Sequence, residues 1–178
     1  MAFAANSLSA LVEFLNSERR GKNRALYLVQ HGKSLSKEQD PEQGLSQEGY
    51  ADVNRIAEVA AGYGVRPAVI RHSGKKRARQ TAEIFAEALL GEMSKAGPIS
   101  GIDPLDDVAA VANTLKTGDN LMLVGHLPFM ERLTGFLITG LAERLVFKFQ
   151  NGGIVCLDKD PDAGWWFIKW TLMPRIGQ

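Results

Sequence analysis

The sequence predicts a three-layer α/β/α sandwich with a mostly parallel central sheet and a β-rich C-terminal part. Leu26-Tyr27-Leu28-Val29 and Leu121-Met122-Leu123-Val124 are unbroken apolar runs bounded by polar residues. That is the pattern of strands buried on both faces, which belong to parallel sheets. Stretches of helical period lie between and after them, and the last third alternates strand-like runs with turn residues. With 178 residues and 45% apolar composition, the chain can bury one sizeable core. We expect an N-terminal helical extension over 1–24 and a single domain over 25–178.

In the extension, Leu8, Leu11, Val12 and Leu15 fall at helical spacing and precede the basic stretch Glu18 to Arg24. A secretory signal carries its positive charges before the apolar region, and a membrane span needs about 18 apolar residues. Neither pattern is present, so a cytoplasmic protein with no membrane partner is expected. The strand over Leu26–Val29 stops at Gln30-His31-Gly32, beyond the carboxyl end where ligand crevices of open α/β sheets form. Gly32 would let backbone come close to a ligand.

Lys33 to Gln47 is polar and reads as a loop over that crevice. Gly32-Lys33-Ser34 resembles the end of a phosphate-binding loop, but that motif requires glycine where Tyr27 stands. Ser46 caps a helix to about Ala61 with Val53, Ile56, Ala57 and Ala60 on its apolar face and Gly62 and Gly64 at its end. Ala68 to Ile70 form a third strand. Arg71-His72-Ser73-Gly74 and a strongly helical run from Lys75 follow it, with Arg77 in the first turn. A cation is unfavourable there unless an anion is present, and the free N–H groups of the turn favour the same anion. Lys75, Lys76 and Arg79 read mainly as a solvated face, with enrichment of anions beside Arg77 as the alternative, and His72 as a residue that orients the loop or faces solvent.

After a short connection from Gly97, Asp103-Pro104-Leu105-Asp106-Asp107 opens a helix over Val108–Leu115. The run Leu121–Val124 then ends in Gly125-His126, and Pro128 starts a helix over Phe129–Leu141. Arg144–Phe149 and Ile154–Leu157 flank Asn151-Gly152, which predicts a hairpin. Trp166, Ile168 and Trp170 alternate with Phe167, Lys169 and Thr171, as in a half-exposed strand. Asp158 to Asp162 is a turn: neither an aspartyl-phosphatase motif nor a calcium loop tolerates Asp162, Ala163 and Lys169 where they fall.

Twenty-one Lys plus Arg against 20 Asp plus Glu give a net charge of +1, which argues against a nucleic-acid partner held by bulk electrostatics. The single cysteine, Cys156, allows no intramolecular disulfide. A cysteine phosphatase would need arginine six positions after it, where Asp162 stands. Two imidazoles, His31 and His126, together with the Arg77 guanidinium and a helix N-terminus, suit a phosphoryl group.

Three segments in order, Gln30-His31-Gly32, Ser73 to Thr81 and Gly125-His126-Leu127-Pro128, resemble the histidine phosphatase (phosphoglycerate-mutase-like) superfamily. The resemblance runs from Leu26 to Leu137 and is greatest to the small SixA-type phosphohistidine phosphatases. It implies His31 as nucleophile, Arg77 and His126 as further catalytic and phosphate-binding residues, and Gln30 and Gly32 at substrate-binding positions. One departure stands out, because the family motif carries arginine where this chain has Gln30. The family's carboxylic acid falls at Gly101, which leaves Asp103 and Asp106 nearby as candidate general acids. The implied activity is hydrolysis through a phosphohistidine intermediate, with no cofactor and no metal. Its substrate would be a phosphohistidine-bearing protein or a small phosphorylated molecule; Gln30 also admits a non-catalytic phosphate-binding module. The sequence does not specify an oligomeric state.

Overall fold

A computed structural model describes residues 25–115, 120–175 and 177. The expected N-terminal helix lies outside the described residues. The strands are β1 (Ala25–Gln30), β2 (Val69–His72), β3 (Ala96–Pro98), β4 (Leu121–Gly125), β5 (Ile154–Lys159) and β6 (Trp166–Leu172). The helices are α1 (Gln47–Gly62), α2 (Lys76–Leu90), α3 (Val108–Thr114) and α4 (Phe129–Thr139).

The sheet order is β3-β2-β4-β1-β5-β6, with the first four strands parallel and the last two antiparallel. Every residue of β1 is buried, because helices cover both faces of the sheet. Ala25, Tyr27 and Val29 share a core with Val53, Ile56 and Ala60 of α1 and Ala82, Phe85 and Leu89 of α2. Leu26 and Leu28 point the other way, into a core with Val108 of α3 and Phe129, Met130 and Leu133 of α4. This is the expected three-layer sandwich.

Register positions the site. Gln30 pairs with Gly125 and His72 with Val124, so the carboxyl ends of β1, β4 and β2 finish level and release His31, His126 and Ser73 at one edge. The helix caps follow the sequence: Ser46 Oγ accepts from Gly49 N at 3.0 Å and Asp107 Oδ1 from Ala109 N at 2.9 Å. Among the described residues, no helix is long and apolar enough to cross a membrane.

Four expectations are corrected. The second strand runs to His72 rather than stopping at Ile70, because β4 accepts it in register as far as Val124. β3 was not expected. Arg144–Phe149 forms no strand, although the turn after it does form, with Gly153 N donating to Gln150 O at 2.9 Å. Both edges of β5 are already bonded, to β1 and β6, so no edge remains for 144–149. Phe147 and Phe149 instead pair edge to face at 5.6 Å. Helix α4 ends at Thr139, two residues early, with Gly140 in the left-handed region. The half-exposed alternation along β6 is as expected, and Asp160 closes the β5–β6 turn by accepting from Asp162 N and Ala163 N. Cys156 is fully buried, which pushes its thiol up to about 12.

Candidate active site

His31 leaves β1 with its backbone held on all sides. His31 N donates to Gly125 O at 3.0 Å, and Asn151 Nδ2 donates to His31 O at 2.9 Å. The neighbouring Gln30 O accepts from Gly152 N at 2.9 Å. The loop that follows lies against the first turn of α1. A Cβ on Gly32 would fall 2.7 Å from Val53 Cγ2, and one on Gly49 would fall 2.1 Å from Lys33 O. A close approach to α1 therefore requires glycine at 32.

The imidazole of His31 has a defined tautomer. Nδ1 lies 2.7 Å from Gly32 O, and a carbonyl only accepts, so Nδ1 carries the proton and Nε2 keeps its lone pair. Arg77 Nε donates to that nitrogen at 3.1 Å. A hydrogen-bonded circuit closes behind the pair: Gly32 N donates to Thr81 Oγ1 at 3.0 Å, and Thr81 Oγ1 donates to Arg77 O at 2.8 Å. Arg77 Nη1 also reaches Gln43 Oε1 of the overlying loop at 3.4 Å.

His126 follows β4 and is only 2% exposed. Its ring centroid lies 4.9 Å from that of His31, and its Nε2 lies 2.6 Å from Ser73 Oγ. Its Nδ1 is buried with no partner. Burial pushes His31 down to about 4, with Arg77 and Lys75 acting in the same direction. Burial, then His31, Arg77 and Lys75, push His126 down to about 3. Both rings are therefore neutral near pH 7, so in the free protein His126 acts as a neutral imidazole and not as a fixed cation. Burial also lowers Arg77, with Asp103 opposing the effect.

The other candidate residues divide. Gln30 is buried, and its Oε1 has no partner. By strand alternation it shares the face of Leu28, towards the α3 and α4 layer. Asp103 pairs with Lys75 across 2.9 Å, and its charge acts on both Arg77 and His126. With Ser73, Gly101 and Ile102 it lines a cavity of about 310 Å³. Asp106 is instead committed to its own turn, where Oδ2 accepts from Asp103 N at 2.8 Å. His72 does not face solvent: it is buried, and its Nδ1 accepts from Gly74 N at 3.0 Å, holding the loop. Among the described residues, no group of three His, Cys, Asp or Glu side chains gathers to hold a metal ion.

Ser73, Thr81 and Asn151 were missed as parts of this site, and Lys75, read mainly as part of a solvated face, pairs with Asp103 beside it. Thr81 had a local signal, since it falls one helical turn after Arg77. Asn151 had none, because it lies 120 residues from His31 in sequence.

Residues 26–96 match the family model of the histidine phosphatase superfamily (branch 1). No curated protein matches the chain in sequence. Solved structures with the same fold include the protein histidine phosphatase SixA complexed with tungstate. It has TM-score 0.72 and 23% identity, and the match covers 84% of this chain and 97% of that one. The SixA protein of Agrobacterium tumefaciens aligns with TM-score 0.68 at 28% identity over 85% of this chain and 98% of its own. A mycobacterial glucosyl-3-phosphoglycerate phosphatase bound to VO3 aligns with TM-score 0.65 at 16% identity over 83% of this chain and 98% of its own. The sequence match to the histidine phosphatase superfamily model falls on the part of the fold that carries His31 and Arg77, and the fold shared with the SixA structures extends over more than four-fifths of the chain.

Proposed function

We propose that the protein is a phosphohistidine phosphatase working through a covalent phosphoryl intermediate on His31. The observation that carries this reading is the His31–Arg77 contact. An unprotonated imidazole nitrogen accepts from a guanidinium N–H at 3.1 Å; when that N–H turns to a phosphoryl oxygen the lone pair is released for attack, so nucleophile and phosphoryl clamp come from one arrangement.

His31 Nε2 attacks phosphorus in line, the Nε2–P bond forms, and the bond from phosphorus to the substrate imidazole breaks. The substrate ring is already protonated on its other nitrogen and departs as neutral imidazole. Water then attacks the phosphoryl-His31, the Nε2–P bond breaks, and inorganic phosphate leaves. Arg77 stabilises charge on the equatorial oxygens. The N–H groups at the start of α2 and a neutral N–H of His126 add to it. The Gly32 carbonyl, which holds the Nδ1 proton, also stabilises the cationic ring of the intermediate. Nothing in this sequence of steps requires a metal or a cofactor. The proposed setting is cytoplasmic, and the proposed partner is a phosphohistidine-bearing protein, without nucleic acid or membrane.

A small phosphorylated substrate is the second reading. It is favoured by the proximity of Asp103 to Arg77 and His126, where a carboxylic acid would protonate an alkoxide leaving group. The test is release of inorganic phosphate by the full chain, in the presence of a chelator, from a phosphohistidine-bearing protein and from alkyl phosphomonoesters. Release from the first at a rate lost in His31→Ala supports the proposal. Faster release from the esters selects the second reading. A chain that binds tungstate but releases phosphate from neither is a binding module.

A further inference from the structure

We infer that Lys75 is a second cationic group of the phosphoryl site, supplying the positive charge that position 30 lacks, and that Asp103 holds it at the mouth of the site until a phosphoryl group arrives. This rests on the phosphoryl-binding reading above and extends it to a residue that the family resemblance does not assign.

Position 30 cannot supply a charge. Gln30 carries a neutral amide, is only 9% exposed, and leaves its Oε1 unpartnered. Of the cations at the start of α2, Lys76 pairs with Asp40 and Glu42 of the overlying loop, and Arg79 faces Glu83 on its own helix. Lys33, close to His31 in sequence, is tied to Glu48, which Arg175 also holds. Lys75 differs from all of these in place. It is the N-cap of α2, and its one ion-pair partner among the described residues is Asp103, itself at the cavity beside the imidazoles.

Two residues ahead of Lys75, Arg77 contacts His31; two residues behind, Ser73 contacts His126. Lys75 Nζ meets Asp103 Oδ1 at 2.9 Å beside the cavity lined by Ser73, Gly101 and Asp103. Its charge is felt at both imidazoles, which places the ammonium within electrostatic range of any phosphoryl group between them. The pair is exposed, with side chains 39% and 53% accessible, and exposed pairs of this kind contribute little to stability. A phosphoryl dianion is a stronger partner than one carboxylate and repels Asp103, so its arrival favours transfer of the ammonium to the phosphoryl oxygens. Lysine suits the exchange, as a point charge on a flexible four-carbon stem. The buried, unpartnered Nδ1 of His126 is a further polar group at this site awaiting a partner.

The test is calorimetric titration of the full chain with tungstate, alongside phosphohistidine turnover. Lys75→Ala is expected to weaken tungstate binding about tenfold, Lys75→Arg to retain it, and Arg79→Ala, which removes the same charge from the same helix, to stay within twofold. Gln30→Arg in the Lys75→Ala chain is expected to recover most of the loss. Lys75→Ala binding tungstate within twofold of the unaltered chain overturns the inference, as does Arg79→Ala losing as much as Lys75→Ala. The phosphatase reading fails separately. A chain that binds tungstate in a Lys75-dependent way but never turns over phosphohistidine keeps the lysine in the site and removes the enzyme. A chain that turns over while Lys75→Ala binds normally does the reverse.

Discussion

Arg77 Nε donates to His31 Nε2 at 3.1 Å, at the other ring nitrogen from the Nδ1 proton that Gly32 O holds. One helix and one strand end thereby fix the tautomer, direction and protonation of a single nitrogen.

From that nitrogen follows an acid-limb prediction. A histidine attacks only when neutral, and His31 is lowered from 6.5 to about 4. The neutral form therefore persists as pH falls through 6.5 and is lost only near 4. The acid limb of kcat/KM should fall well below pH 6, with turnover largely kept at pH 5. A limb at the ordinary histidine value would show that His31 is not the titrating group.

The same shifts bear on stability. In the unfolded chain His31 and His126 take protons near 6.5, whereas folded they resist until about 4 and about 3. Between those limits the unfolded state binds more protons, so stability should drop as pH falls from about 6.5 towards 4. Denaturant melts across that range check this: His126→Gln should flatten the slope, and an unchanged slope would assign the pH dependence to other groups.

Thr81 tests the circuit behind the contact. Its hydroxyl joins Gly32 N to Arg77 O while fully buried. Thr81→Val leaves a buried N–H without an acceptor and should cost about 1–3 kcal/mol of stability. It should also lower kcat more than it raises KM, because the groups it displaces act on the reacting nitrogen. Thr81→Ser should restore both. Equal kinetics in Thr81→Val and the unaltered chain would reduce Thr81 to a packing role.

Much of the arrangement was legible in the sequence because its causes are local. The apolar runs of β1 and β4, the Ser46 cap and the apolar face of α1 depend on neighbours within a turn or a strand. The rest depends on partners distant in sequence. Ala96-Gly97-Pro98 has no strand propensity and becomes β3 only because β2 offers an edge beside it. Arg144–Phe149 has strand-like composition and fails because β5 has no free edge. His31, Arg77 and His126 could be nominated from strand ends and a helix start. The contacts of Ser73 and Lys75 could not, since they form only once β2 and β4 are in register.

Asp103 decides the leaving group. It is an ion-pair partner of Lys75 at 2.9 Å in the free protein and gives up that partner when a phosphoryl group takes the ammonium, whereas an imidazole leaving group, protonated before it departs with an ordinary pKa near 6.5, needs no acid from the protein. Asp103→Asn should change phosphohistidine turnover less than about threefold, and alkyl phosphomonoesters should be poor substrates of either chain. Rapid ester cleavage that collapses in Asp103→Asn would identify Asp103 as the acid and replace the substrate class.

The most direct measurement is of the intermediate itself. The full chain is mixed with a radiolabelled phosphohistidine donor, quenched in alkali to preserve a phosphoramidate, and its labelled peptide identified. The covalent route predicts an acid-labile label on His31 that disappears on chase with unlabelled donor and never forms in His31→Ala. Steady turnover with no label on His31, or a label that survives in His31→Ala, would contradict it.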